Sequence, residues 1–180
     1  MTDTYAAPTP PRTLIAGIGN IFLGDDGFGV EAVRRLAEQP LPEGVETVDI
    51  GVRGVHLAYQ LLDGYHTVVL LDAMARGGDP GTVYLVDNAD VGGTQADAGA
   101  DGPVLDGHRM SPDAVLALLD HLSVGTGGSK PQRVVVVGCE PANVAEGIGL
   151  SDAVAASLER AVAVVLDQLP IATVQLPETD

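Results

Sequence analysis

Two runs in this chain are apolar at nearly every position: Thr67 to Leu71 (TVVLL) and Arg133 to Gly138 (RVVVVG). A strand with one wet face alternates apolar and polar residues. A continuous run of branched apolar residues instead reads as a strand covered on both faces, in the middle of a parallel sheet with helices above and below. The rest of the chain must therefore supply two helical layers and the flanking strands.

It does so in repeated units. Leu14-Ile15-Ala16 breaks into a loop with Gly17, Gly19 and Gly24, then opens into a helical pattern with Val30, Val33, Leu36 and Ala37 on one side. Val45 to Ile50 reads as the second strand, followed by Gly51-Val52-Arg53-Gly54 and a helix holding Leu57, Leu61 and Leu62. Asp79-Pro80-Gly81 is a turn. It leads to a strand at Thr82 to Val86 after too few residues for a helical crossover, so this strand is expected to be antiparallel. Ser111-Pro112 opens a helix with Val115, Leu116, Leu119 and Leu122 on its apolar face. Ser151 to Leu169 reads as a closing helix with Val154, Leu158, Val162, Val165 and Leu169 inward. This order predicts an α/β fold, a three-layer α/β/α sandwich around a mostly parallel five-stranded sheet with one antiparallel strand. A single domain is expected over 13–169. Residues 1–12, with Pro8, Pro10 and Pro11, and 170–180 read as flexible tails, and 88–107 as a surface loop without periodicity.

Charge narrows the partners. Twenty-five acidic against nine basic residues give a net charge of −16, which argues against nucleic acid or an anionic membrane and favours cations or basic peptide segments. No apolar run approaches the roughly 20 residues a membrane span needs, and the N-terminus lacks the basic and apolar regions of a signal peptide, so a cytoplasmic location is expected. A lone cysteine, Cys139, excludes an internal disulfide and a cysteine-rich zinc site.

The chemistry concentrates in acids at strand ends. Asp25 and Asp26 lie in the first glycine loop, Asp49 ends the second strand and Asp72 the third. In α/β sheets ligands bind at that edge. A phosphate loop fits poorly: Gly17-x-Gly19 begins a dinucleotide motif, but the third glycine comes at position 24 and no Lys-Ser/Thr follows. Two carboxylates would also repel phosphate. Asp49, as an acid able to hold a ribose, keeps a dinucleotide-binding oxidoreductase as the weaker alternative. One of the paired aspartates is expected to cap the following helix. The other is then an oxygen ligand for a cation.

Nucleophilic alternatives are thin. Cys139 follows a buried strand and reads as a small hydrophobe, and no serine sits in a G-x-S-x-G elbow. H-E-x-x-H is absent, and His56, His66 and His121 stand on ordinary helix faces or a strand start. His108 differs by preceding a helix start. Should strands one and three be neighbours, Asp26 and Asp72 come together and His108 can fold over them. Two carboxylates and an imidazole leave coordination positions open for a divalent ion that also touches substrate.

Four segments in this order, GIGNIFLGDDGFG (17–29), VVLLDA (68–73), HRMSPDAVL (108–116) and VVVGCEP with GIGLS (135–151), resemble the nickel-iron hydrogenase maturation proteases across Thr13 to Leu169. The resemblance implies an aspartyl-type endopeptidase that removes a short C-terminal extension from a hydrogenase large-subunit precursor after nickel insertion. It also implies an α/β/α fold around five strands. The family's metal-gripping positions fall on Asp26, Asp72 and His108; the first is often Glu in the family and is one methylene shorter here. Asp49 matches a family position with a catalytic part, which gives a catalytic set of Asp26, Asp72 and Asp49. Nickel would come with the substrate and no tightly held cofactor of its own is expected. The expected partner is the precursor's C-terminal region, met by a monomer. A non-catalytic nickel-binding accessory protein using the same three ligands is the other alternative.

Overall fold

The computed structural model describes residues 10–87 and 111–170. Five strands, β1 (Thr13–Ile18), β2 (Val45–Gly51), β3 (Thr67–Ala73), β4 (Val83–Asp87) and β5 (Arg133–Cys139), form one sheet in the order β2-β1-β3-β5-β4. β1 pairs in parallel with β2 and β3, β3 pairs in parallel with β5, and β4 runs antiparallel to β5. Both continuous apolar runs, β3 and β5, occupy interior positions, as their double-sided burial requires.

Four helices cover the sheet: α1 (Phe28–Ala37), α2 (Gly54–Gln60), α3 (Pro112–Thr126) and α4 (Asp152–Asp167). The two-residue period of the strands divides the core. Leu14, Ala16, Ile18, Val68, Leu70, Val134 and Val136 pack with Leu57 and Leu61 of α2 and Val115 and Leu119 of α3. Ile15, Val69, Leu71, Val135 and Val137 point to the other face, against Phe28, Val33 and Leu36 of α1 and Val154, Leu158, Val162 and Val165 of α4. Each of the Val, Leu, Ile and Phe side chains, fully buried, contributes about 1.5–3 kcal/mol relative to exposure.

Two details depart from the sequence reading. Ala37 is exposed, because the buried line of α1 runs through Phe28, Ala32 and Leu36 at intervals of four. α4 ends at Asp167, although Leu169 still packs into the core beyond it. α3 begins as expected, with Pro112 in its first turn and the Ser111 hydroxyl accepting from Ala114 N at 3.3 Å. Among the described residues no helix is long and apolar enough to cross a membrane.

The strand order fixes where a site can form. From β1 the chain passes through α1 to β2 on one side, then returns through α2 to β3 on the other. The connections diverge between β1 and β3, opening a crevice at their carboxyl ends. Glycine lets α1 close down beside it, since an added Cβ at Gly29 would overlap the carbonyls of Ile18 and Leu71.

Candidate active site

The loop leaving β1 and the end of β3 both reach that crevice. Gly19, at φ +132°, adopts a backbone geometry that side-chain-bearing residues avoid. A Cβ there would overlap the Asp26 carbonyl and lie 3.7 Å from Asp72 Oδ1, so the glycine stands between the two acids. Asp26 belongs to a 3₁₀ turn, Gly24–Gly27, and its Oδ2 accepts from Asn20 N at 2.8 Å. Asn20 Oδ1 in turn accepts from Phe22 N at 3.0 Å, which fixes the turn.

Asp72 is the penultimate residue of β3 and only 7% exposed. Burial foremost, and the neighbouring Asp26 second, push its carboxyl well above the usual range. The two acids line one cavity of about 210 Å³, together with Ile18, Leu23, Val52 and Val144 and with Ser111 at the start of α3. Two carboxyl groups in an apolar collar have a standing need for positive charge or a proton.

Asp25 turns the other way. It is 1% exposed, and its carboxylate accepts from Ala142 N (2.8 Å), Asn143 N (3.0 Å), Ser151 N (2.6 Å) and Ser151 Oγ (2.9 Å). Burial alone would raise its carboxyl, but the hydrogen bonds from Ser151, Asn143 and Ala142 outweigh burial and hold it below the ordinary range. This corrects the expectation that one of the paired aspartates caps the first helix: neither the 3₁₀ turn nor α1 has a side-chain cap. Asp25 instead straps the 141–151 segment and the start of α4 to the site, where four donors converge on it.

Asp49 is not brought to the cavity. It pairs with Gly17 across β1–β2, and its neighbour Ile50 fills the core on the α2 and α3 face, so by strand parity Asp49 lies towards α1. There its Oδ2 meets Arg34 Nη2 at 3.1 Å, and Arg34 also reaches Glu31 at 3.1 Å. His108 lies outside the described residues. His56, His66 and His121 are exposed, as ordinary surface histidines are. Among the described residues no group of three or more His, Cys, Asp or Glu side chains is arranged to hold a metal, so Asp26 and Asp72 stand there as a pair.

Comparison with known proteins decides the family. The model for the hydrogenase maturation protease family, HycI, matches residues 30–168. The chain belongs to this family. It is 33% identical over 162 residues to the hydrogenase expression/formation protein HupD of Rhodobacter capsulatus, covering 89% of this chain and 72% of that one. It is 31% identical to the hydrogenase 2 maturation protease of Escherichia coli, covering 88% and 90%. Among solved structures it is similar to the hydrogenase maturating endopeptidase HybD from E. coli, with a TM-score of 0.68, 30% identity, and 87% and 90% of the two chains covered.

The protein is thus a hydrogenase maturation endopeptidase, and the oxidoreductase and non-catalytic accessory readings fall away. In this maturation protease one further side chain frames the site that sequence reasoning did not assign. Glu140, directly after β5 and 6% exposed, accepts from Arg76 N (2.7 Å), Gly77 N (3.2 Å) and Tyr84 Oη (2.8 Å), so it holds the turn that follows Asp72. The Arg76 amide foremost keeps its carboxyl below the ordinary range. The available signal was an acid placed directly after a fully buried strand, the same sign that marked Asp72. Cys139 is buried, as expected, with its Sγ 3.2 Å from Ser157 Oγ.

Proposed function

We propose that this protease removes the C-terminal extension of a nickel-iron hydrogenase large-subunit precursor once nickel is in place, and that Asp26 and Asp72 grip the nickel carried by the substrate. The observation behind this reading is the shared cavity: a buried carboxyl and a second carboxylate that, among the described residues, accepts from the Asn20 amide. A divalent cation arriving with the substrate supplies the missing counter-charge, and oxygen donors suit such an ion when imidazole completes the set. His108, three residues before the cavity-lining Ser111, is the third donor in this reading.

The acids then have two tasks. Before substrate arrives, ionising Asp72 beside Asp26 in a buried place is unfavourable, so its carboxyl favours the protonated form more than a free aspartate does. A cation brought by the substrate would shift that balance towards the carboxylate, which could take a proton from the water that attacks the scissile carbonyl. Only the metal-loaded precursor satisfies the pair, which makes the enzyme a checkpoint. Asp49, occupied by Arg34 on the opposite side of the sheet, is left out of this catalytic set. We read the enzyme as a cytoplasmic monomer with no resident cofactor, acting on the precursor's C-terminal region.

The test is a processing assay with purified precursor, with and without nickel, read by intact mass. Loss of a C-terminal fragment only from the nickel-loaded sample is expected, with no loss for Asp26→Ala, Asp72→Ala or His108→Ala. Equal cleavage of nickel-free precursor overturns the metal grip, and normal cleavage by all three variants overturns the residue assignment.

A further inference from the structure

Two of the large apolar side chains left exposed on this acidic protein stand beside the acid cavity. Phe22 is 61% exposed and Ile148 is 81% exposed. Their loops are joined by paired backbone: Gly147 N donates to Phe22 O at 2.9 Å and Gly24 N to Gly147 O at 2.9 Å. Leu23, next to Phe22, lines the cavity, and so does Val144 of the second loop. Singly scattered surface hydrophobes need no explanation, whereas apolar residues grouped at the rim of a site mark an interaction surface.

The ledge is also rigid. Asp25 ties down Ala142, Asn143 and Ser151 at the two ends of the second loop, so Phe22 and Ile148 are presented on a backbone already fixed. Docking onto such a platform loses little conformational entropy. Its charge is unusual for this chain: across Asn20 to Leu23 and Asn143 to Gly149 the one charged residue is Glu146, in a protein of net charge −16. A mostly apolar island carrying one acid, in an acidic surround, admits an apolar segment and repels an acidic one.

We propose that Phe22 and Ile148 form a docking ledge for an apolar segment of the precursor's C-terminal region, next to the bond that is cut. The occupant follows from continuity: a chain held at the Asp26–Asp72 pair and leaving past Leu23 and Val144 runs onto this ledge. The inference rests on the reading that the substrate is the large-subunit precursor.

The experiment compares steady-state cleavage of nickel-loaded precursor by the wild type, Ile148→Ser, and Phe22→Ser/Ile148→Ser. Val124→Ser is the control: it is 89% exposed and about 20 Å along α3 from Ser111. Calorimetry should show unchanged melting for all four. The double variant should raise KM about tenfold or more with kcat within about twofold, Ile148→Ser should fall between, and Val124→Ser should match the wild type. A KM within about twofold of the wild type for the double variant, or a fall in kcat at unchanged KM, overturns the ledge. If the wild type itself fails to cut the precursor, the proposed substrate falls. The ledge is then judged by calorimetric binding of the same precursor, where equal affinity for the wild type and the double variant overturns it.

Discussion

Replacing Asp25 by Ala separates a residue that builds the site from one that works in it. The substitution strands four donors, three backbone amides and the Ser151 hydroxyl, all partly buried. An unsatisfied buried donor costs about 1–3 kcal/mol, and partial access of water places each near the low end, so the loss is about 4 kcal/mol. For a chain of this size that lowers the melting midpoint by roughly 8–16 °C. Asp26→Ala removes one acceptor from one amide and relieves repulsion at Asp72, so its cost stays within about 1 kcal/mol. Acid titration gives a second readout. The native Asp25 carboxyl lies below its unfolded value of about 3.9, so its contribution is complete above that pH and is lost as pH falls through the native value. Asp25→Ala should therefore lose less stability on acidification than the wild type. Denaturant unfolding over a pH series measures both effects. An Asp25→Ala protein that melts with Asp26→Ala and keeps the wild-type acid slope would refute the strapping role.

Three further outcomes follow from the geometry. Gly19→Ala forces a side chain into φ +132° and into the Asp26 carbonyl, so a destabilisation of about 2 kcal/mol or more and loss of cleavage are expected, both checked on the purified variant. Asp72→Asn removes a buried acid whose native carboxyl is raised, foremost by burial. The wild type holds a proton there that the unfolded chain releases above about pH 4, so wild-type stability falls as pH rises towards the native value. Thermal unfolding against pH should show that fall missing in Asp72→Asn, while processing stops. Asp49→Asn loosens one exposed ion pair with Arg34, so stability should change by no more than about 1 kcal/mol. Its cleavage rate should stay within about tenfold of the wild type; a loss as deep as that of Asp26→Ala would return Asp49 to the catalytic set.

The fold was legible where burial leaves no ambiguity. β3 and β5 carry apolar residues on both faces and could be nothing but interior strands, and the short link through Asp79-Pro80-Gly81 left β4 only an antiparallel course. The meeting of Asp26 with Asp72 was legible too, since it requires only that β1 and β3 be neighbours. What escaped depends on contacts remote in sequence or on parity. The donors that claim Asp25 lie 117 to 126 residues away, and no local pattern announces them. A cap on the helix that begins three residues later, at Phe28, was the nearest local explanation and the wrong one. Asp49 ends its strand as Asp72 does, yet it points towards α1, because Ile50 and not Asp49 shares the parity of the α2 and α3 face.

The adjacency of Asp25 and Asp26 is itself the device that couples framework to chemistry. In a 3₁₀ turn successive side chains diverge by about a third of a revolution, so neighbouring acids in Gly24–Gly27 must leave in different directions. One goes to the α4 side and is saturated with donors. The other goes to the crevice and, among the described residues, accepts from the Asn20 amide. Because the two share a peptide unit, the hydrogen bonds that fix Asp25 also fix the backbone that aims Asp26 at Asp72. Lengthening the second side chain to Glu changes reach without touching that anchor. Altering the first acid removes the anchor itself, so the two positions should tolerate substitution very differently even though sequence alone presents them as equivalent.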